Sequence, residues 1–172
     1  NKGVCGIDLA GDESKFPTYL YKDLFSYAIK NNLNITIHAG EAGTSKEVKD
    51  AIGYGAKRIG HGIKIINDEE AINLVKEKQI PLEICPTSNV QTCNVDSIIN
   101  HPIKKLFDKD ILLTINTDNR TVSNTSLNKE YKLLEKYFNF NKENFIKTNI
   151  IAIDKAFLTD KEKQELRKII NN

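Results

Sequence analysis

The chain has 172 residues, 40% hydrophobic and 28% charged, which is the composition of an ordinary globular domain. Its formal net charge is +2 with the lysines scattered, so there is no electrostatic case for a nucleic-acid or membrane-surface partner; no apolar run approaches the roughly 20 residues of a membrane span. Cys5, Cys85 and Cys93 are odd in number and lack paired zinc-finger spacing, which points to reduced thiols in an intracellular, cytoplasmic protein, with Cys5 and Cys85 as small hydrophobes inside strand runs. The sequence holds no methionine, hence no initiator, and opens almost at once into a strand. A fragment of a longer chain is therefore expected, and the lack of a signal peptide carries no information about the parent.

In chain order, Val4–Leu9 reads as a buried strand. Tyr19–Asn31 reads as a helix with Tyr19, Leu20, Leu24, Tyr27 and Ala28 on its inner face. Leu33–His38 is a second strand, and the Thr44/Glu47 pair is a capping box opening a helix that runs to about Ile52. Lys57–His61 is a short third strand. Asn67 and Glu70 form a second capping pair, for a helix with Ala71, Leu74 and Val75 inward. Gln79–Cys85 is a fourth strand whose Pro81 must sit at its start, because proline cannot donate to a ladder. A short helix is expected after Pro102 and a fifth strand over Ile111–Thr117. Three helices follow, Ser126–Tyr137, Lys142–Phe157 and Thr159–Ile170.

Strands alternating with helices, each strand apolar almost throughout, specify a parallel sheet with helices outside it. Five strands are too few to close an eight-stranded barrel, for which ~250 residues is usual. Two architectures stay open: a complete doubly wound sheet, or the back part of a barrel. Leu9-Ala10-Gly11-Asp12-Glu13 lacks the glycine spacing of a phosphate loop, which argues against a nucleotide-binding Rossmann domain. No repeat, low-complexity block or linker divides residues 1–172, so a single domain is expected.

The chemistry-bearing residues gather at strand ends, where a parallel α/β fold opens its site. His38-Ala39-Gly40-Glu41 closes the second strand, Gly60-His61-Gly62 the third, and Asn116-Thr117-Asp118 the fifth. Each has a plain reading when taken alone: His38 or His61 as a hydrogen-bonded core histidine, Asp118 as a turn or cap residue. Jointly, two histidines, a glutamate and an aspartate at separate strand ends are able to converge on one metal ion and one proton-transfer path. His101, before Pro102 at a helix start, reads as structural. Asp12 and Glu13 read as solvated turn charges.

These residues carry a resemblance. Ile7-Asp8-Leu9-Ala10-Gly11-Asp12-Glu13, His38-Ala39-Gly40-Glu41, Arg58-Ile59-Gly60-His61-Gly62, Glu83-Ile84-Cys85-Pro86-Thr87-Ser88-Asn89 and Asn116-Thr117-Asp118-Asn119-Arg120, continuing through Ser123-Asn124-Thr125, resemble in order the carboxyl-terminal half of the adenosine deaminase family, within the metal-dependent amidohydrolase superfamily. The resemblance covers essentially the whole chain and implies the last five strands of a TIM-type (β/α)8 barrel. It implies zinc-dependent hydrolysis of adenosine to inosine and ammonia, with one Zn2+ in each complete site. His38 resembles a histidine ligand of the zinc and Asp118 its carboxylate ligand, a donor pair that suits a catalytic zinc with an open position for water. His61 resembles the residue that orients that water and shares in its proton transfer. Glu41 resembles the acid that protonates N1 of the purine, so burial is expected to raise its pKa. Gly11 matches a backbone position against the purine, where a side chain would obstruct approach. Asp8 matches an acid behind the metal site.

Two departures accompany the resemblance. The residue after the ligand aspartate is often a second aspartate that binds N7; here it is Asn119, whose amide can still donate there. The family's His-x-His, which supplies two more zinc ligands, has no counterpart among the three histidines of this chain. The cytidine-deaminase fold is excluded, because no Cys-x-x-Cys is present. The alternatives are an adenine deaminase of the same superfamily and a non-catalytic purine-binding relative. The expected partners are a purine nucleoside, the amino-terminal half of the barrel, and, in its absence, further copies of the fragment.

Overall fold

Four of the five apolar runs close on a glycine or an Asx turn, and the fourth in chain order closes on the Pro86 that opens a helix. The computed structural model describes residues 3–171. In order the elements are β1 (Gly6–Leu9), α1 (Lys22–Lys30), β2 (Asn34–Ala39), α2 (Ser45–Gly53), β3 (Arg58–His61), α3 (Glu69–Glu77), β4 (Leu82–Ile84), α4 (Pro86–Gln91), α5 (Ile103–Asp108), β5 (Leu113–Ile115), α6 (Leu127–Phe138), α7 (Lys142–Lys155) and α8 (Asp160–Asn171). The five strands are parallel and make one sheet in sequential order. Among the described residues no helix is long and apolar enough to cross a membrane. The chain divides into two compact units, Asn1–Leu82 and Glu83–Asn172.

In the first unit β1 pairs with β2 from Gly6 opposite Asn34 to Leu9 opposite Ile37, and β2 pairs with β3 from Thr36 opposite Arg58 to Ala39 opposite His61. Side chains alternate across a strand. Ile35, Ile37 and Ile59 fall on one face and are fully buried, as are Phe25 of α1 and Val48 and Ala51 of α2. The opposite face of β2 carries Thr36 and His38. The capping box at Thr44 and Glu47 is present, with the Glu47 carboxylate accepting from the Thr44 backbone N–H at 2.8 Å.

Three expectations in this unit are corrected. The helix expected over Tyr19–Asn31 is a 3-10 turn (Thr18–Tyr21) followed by α1, and Phe25 and Ala28 are its buried residues. Tyr19, Leu20, Leu24 and Tyr27 are instead 52%, 56%, 49% and 64% exposed. The α3 cap is Asp68, not Asn67, because a 3-10 turn over Ile63–Asn67 consumes Asn67. Cys5 lies before β1 and is exposed, whereas Cys85 is buried. Pro81 immediately precedes β4, where its carbonyl accepts the Ile59 N–H at 3.0 Å.

In the second unit α6 and α7 both pack on β5. Phe140 lies between Phe107 and Phe145, at 4.9 and 5.9 Å between ring centroids, and Tyr131 stacks on Phe145 at 4.3 Å. Asn139, in the left-handed region at φ 54°, ends α6, and Asn141 and Asn144 cap α7 reciprocally. Helix α4 is an element the sequence reading lacked; Pro86 opens it, at a position where a missing N–H costs nothing. His101 is buried. Its Nδ1 accepts the Ile103 N–H at 3.1 Å, and its Nε2 lies 3.2 Å from Asn89 Oδ1, so it is a structural histidine.

Asp68 generates a pH prediction. Hydrogen bonds from Ser45 Oγ and the Ala71 N–H, with Lys49 nearby, hold its carboxyl down at about 2 against an ordinary 3.8. A depressed carboxyl stabilises the folded chain above its unfolded pKa and loses that contribution as pH falls through the folded one. The difference in urea midpoint between the unmutated chain and Asp68→Ala is therefore expected to be full above pH 5 and to narrow steadily toward pH 2. A gap that widens on acidification would refute this role for Asp68.

Candidate active site

Strand periodicity alone cannot bring the two histidines of the first unit together. His38 and Gly60 share one face of the β2–β3 pair, and Ala39 and His61 share the other. His61 breaks the alternation with a left-handed φ of 63°. This conformation costs a residue with a side chain of order 1–3 kcal/mol and occurs where the surroundings enforce it. Its ring then meets that of His38 edge-on, 4.9 Å between centroids. Gly60 makes room for the pair: a Cβ there would stand 2.8 Å from Nδ1 of His38.

Two carboxylates flank the rings. Glu41 Oε2 lies 3.5 Å from His61 Nε2, with the two side chains 14% and 2% exposed, so this acid and imidazole face one another almost out of water. Asp8, from β1, brings Oδ1 to 3.5 Å from His38 Nδ1 and is itself half exposed. Gly11 follows at φ 138°, a backbone region favoured by glycine, and lines a recess with Leu9, Glu13, Phe16, Tyr21 and His38. Asp8, Gly11, His38, Glu41 and His61 thus come together within the first unit.

In the second unit Asp118 ends the β5 segment in a left-handed conformation, φ 55°, and its Oδ2 accepts the Ser88 hydroxyl at 2.7 Å. Asn119 Oδ1 accepts the N–H groups of Thr121 and Val122 at 3.1 and 3.0 Å. That turn occupies the amide oxygen and leaves Nδ2 as the group directed elsewhere.

Three participants escape a sequence reading. Ser88 holds Asp118; the sequence places it within the Glu83–Asn89 motif without showing what it would bind. Glu130, fully buried, accepts from the Thr87 N–H at 3.1 Å and from the Thr125 hydroxyl; it looks like any glutamate on a helix. Glu13, expected as a solvated turn charge, is 7% exposed and accepts four backbone N–H groups from residues 40–43. Asp12 keeps the expected character: hydrogen bonds from Lys15 and then Ser14 hold its carboxyl at about 2 in the open. The signal that separates the two acids is the HAGE-type turn itself, a run of N–H groups needing an acceptor.

No group of three or more His, Cys, Asp or Glu side chains arranged to hold a metal occurs among the described residues. The donors fit zinc by type. An imidazole with a carboxylate behind it and a carboxylate held by a hydroxyl are ordinary zinc ligands with ordinary supports.

Comparison with known proteins agrees across sequence and structure. The family model described as adenosine deaminase matches residues 1–172. The adenosine deaminase of Clostridium acetobutylicum is 49% identical and that of Shewanella woodyi 45%, each aligned over 98% of this chain and 51% of the relative. Among solved structures, an adenine deaminase from Arthrobacter aurescens superposes with a TM-score of 0.93 at 25% identity, over 97% of this chain and 51% of that one. The N6-mAMP deaminase of Arabidopsis gives 0.88 at 34%, over 98% and 50%. An amidohydrolase from Burkholderia ambifaria, solved with bound Zn, gives 0.91 at 22%, over 99% and 48%, and so speaks for the fold alone. The chain spans about half the length of the curated relatives it matches. Its strands correspond to the carboxyl-terminal part of a TIM-type barrel, and with a family model matched end to end and relatives at 45–49% identity, the chain belongs to the adenosine deaminase family.

Proposed function

We propose that this chain is the carboxyl-terminal half of a zinc-dependent adenosine deaminase and supplies its proton-transfer groups. The observation that carries the reading is the Glu41–His61 pair, an acid and an imidazole 3.5 Å apart and nearly dry, beside His38. Binding alone has no need of such a pair; moving protons at a purine ring does.

Glu41 donates a proton to N1 of adenosine, which makes C6 electrophilic. His61 orients the attacking water and takes part in its proton transfer. Gly11 lies under the purine, and Asn119 Nδ2 donates to N7. Asp8 orients the His38 imidazole through Nδ1, leaving Nε2 for the metal, and Ser88 holds Asp118. His38 and Asp118, with ligands from the amino-terminal half, would hold a zinc ion, which when bound would lower the pKa of water at the site. The similarity to an adenine deaminase sustains one rival, adenine as substrate; the higher identity to adenosine deaminases favours the nucleoside.

In the complete enzyme, His38→Ala and Asp118→Ala are expected to lose zinc and activity together. Glu41→Gln is expected to keep its zinc and lose ~10²–10⁴-fold in turnover, the usual worth of a general acid. Metal analysis alongside an adenosine assay, with adenine as a second substrate, decides this. Full turnover in zinc-loaded Glu41→Gln removes Glu41 from the role.

Asn119 has its own test. 7-Deazaadenosine, which lacks the N7 acceptor, is expected to bind more weakly than adenosine by about 0.5–1.5 kcal/mol, and Asn119→Ala to erase the difference. Equal binding of the two nucleosides by the unmutated enzyme means the contact is not made.

The partner half has a surface to meet. Tyr19 and Leu20 of the 3-10 turn and Leu24 and Tyr27 of α1 are exposed apolar side chains, and β1 lies at the sheet edge with one side of its ladder unpaired among the described residues. The amino-terminal half of the barrel covers both. Alone, the 172-residue chain is expected to self-associate, to hold zinc weakly and to leave adenosine unchanged. Light scattering, zinc analysis and adenosine absorbance read these three together, and a zinc-replete, active monomer overturns the half-barrel reading.

A further inference from the structure

Glu13 accepts four backbone hydrogen bonds beside the site, and none of the steps above uses it. Its Oε1 accepts the Gly40 N–H at 2.6 Å, and its Oε2 accepts those of Glu41, Ala42 and Gly43 at 3.0, 3.1 and 2.9 Å. These are four consecutive amides, spanning the turn from the end of β2 to the cap of α2. A run of N–H groups curled onto one anion is a backbone nest, here filled by the protein's own carboxylate. The fit is close: a Cβ on Gly43 would stand 2.8 Å from Oε1 and 2.9 Å from Cδ of Glu13. Glu13 also sits two residues after Gly11, and both line the recess beside His38.

We propose that Glu13 is a positioning residue for the deamination: its carboxylate ties the β1 loop bearing Gly11 to the β2 turn bearing Glu41, so that the surface under the purine and the acid at N1 are held as one body. The inference rests on the roles proposed above for Gly11 and Glu41. Without the anion, four amides converge on a gap and the turn rotates to find other acceptors. The Glu41 amide is one of the four, so its backbone is released with them. Displacing a reacting group by about 1 Å costs on the order of 10²-fold in rate. Glutamine fills the same space but turns an NH2 toward amides that can only donate, and aspartate is one methylene too short to span both loops.

The test uses the complete, zinc-loaded enzyme with Glu13→Ala and Glu13→Gln. Zinc content is expected to stay at the unmutated level, which separates this role from metal binding. Turnover is expected to fall about 10²-fold in both, with KM raised as well, because the Gly11 side is loosened too. Formate at tens of millimolar is expected to restore Glu13→Ala at least severalfold by refilling the nest; formamide at matched ionic strength is not, and Glu13→Gln, whose gap is full, is expected not to respond. Amide hydrogen exchange at residues 40–43, which needs no activity, is expected to speed at least tenfold in Glu13→Ala and to slow again with formate. If Glu13→Ala does not fold, Glu13→Gln alone carries both the kinetic and the exchange arms. Unchanged turnover, or a fall in turnover with exchange at 40–43 unaltered, overturns the proposal. An unmutated enzyme inert toward adenosine while the exchange arm behaves as described fails the deaminase reading and leaves the Glu13 tie standing.

Discussion

The imidazole of His38 occupies the space that a side chain on Gly60 would take, and the geometry of the candidate site depends on that contact. Parallel pairing sets Gly60 opposite His38, and any side chain at residue 60 would occupy the space of Nδ1. With the ring in that space, His61 approaches it only by leaving the strand conformation, which its left-handed φ accomplishes. Glu41 then has His61 as its neighbour, and Asp8 has the other side of His38. A one-residue slip of β3 would reverse the faces of that strand and carry His61 away from His38 and Glu41. Register is in turn held by the buried isoleucines Ile35, Ile37 and Ile59, which cannot turn toward water. Ordinary hydrophobic alternation fixes where the polar groups stand.

Much of this is legible in the sequence because it is local. Five apolar runs gave five strands in order, although β4 and β5 are only three residues long where seven were expected in each. Propensity extends a strand as far as apolar residues continue; hydrogen-bonded pairing stops it earlier. The capping box at Thr44 was readable because both partners lie within one turn. The Asn67/Glu70 pair has the same pattern and fails, since a 3-10 turn ends there and Asp68 accepts the Ala71 N–H. Chain pattern names the residue types able to cap; the preceding backbone decides which one does.

The α1 face is instructive in a different way. Helical periodicity picked out Tyr19, Leu20, Leu24, Tyr27 and Ala28 as a face meant for burial; the structure buries Ala28 together with Phe25 and leaves the other four exposed. Leu24 and Tyr27 lie beside the buried pair, so α1 carries a wider apolar surface than it covers. Periodicity measures what a helix is built to bury, in whatever chain does the burying. A helix between two others in a barrel needs apolar residues on its sheet side and along its flanks, and the relatives are twice this chain's length. The mismatch between pattern and exposure is what a half-barrel presents.

Glu13 and Glu130 were illegible for a reason that reaches beyond this chain. Composition rules place glutamate at the surface, because an ionised carboxylate in an apolar interior is costly unless hydrogen bonds replace its water. Both residues meet that condition with backbone and hydroxyl donors rather than with a cation: Glu13 with four amides, Glu130 with the Thr87 amide at the start of α4 and the Thr125 hydroxyl. Each braces a turn that follows a strand and carries a residue proposed for the site, Glu41 in one unit and the Ser88–Asp118 pair in the other. Loops at the carboxyl ends of parallel strands point their amides into the opening, and there are more such donors than carbonyls to meet them. A buried carboxylate takes several at once, which a hydroxyl or an amide oxygen does less well. Nothing in a residue's own type or spacing reveals such a role; it appears only when the amides of a distant segment are seen to need an acceptor.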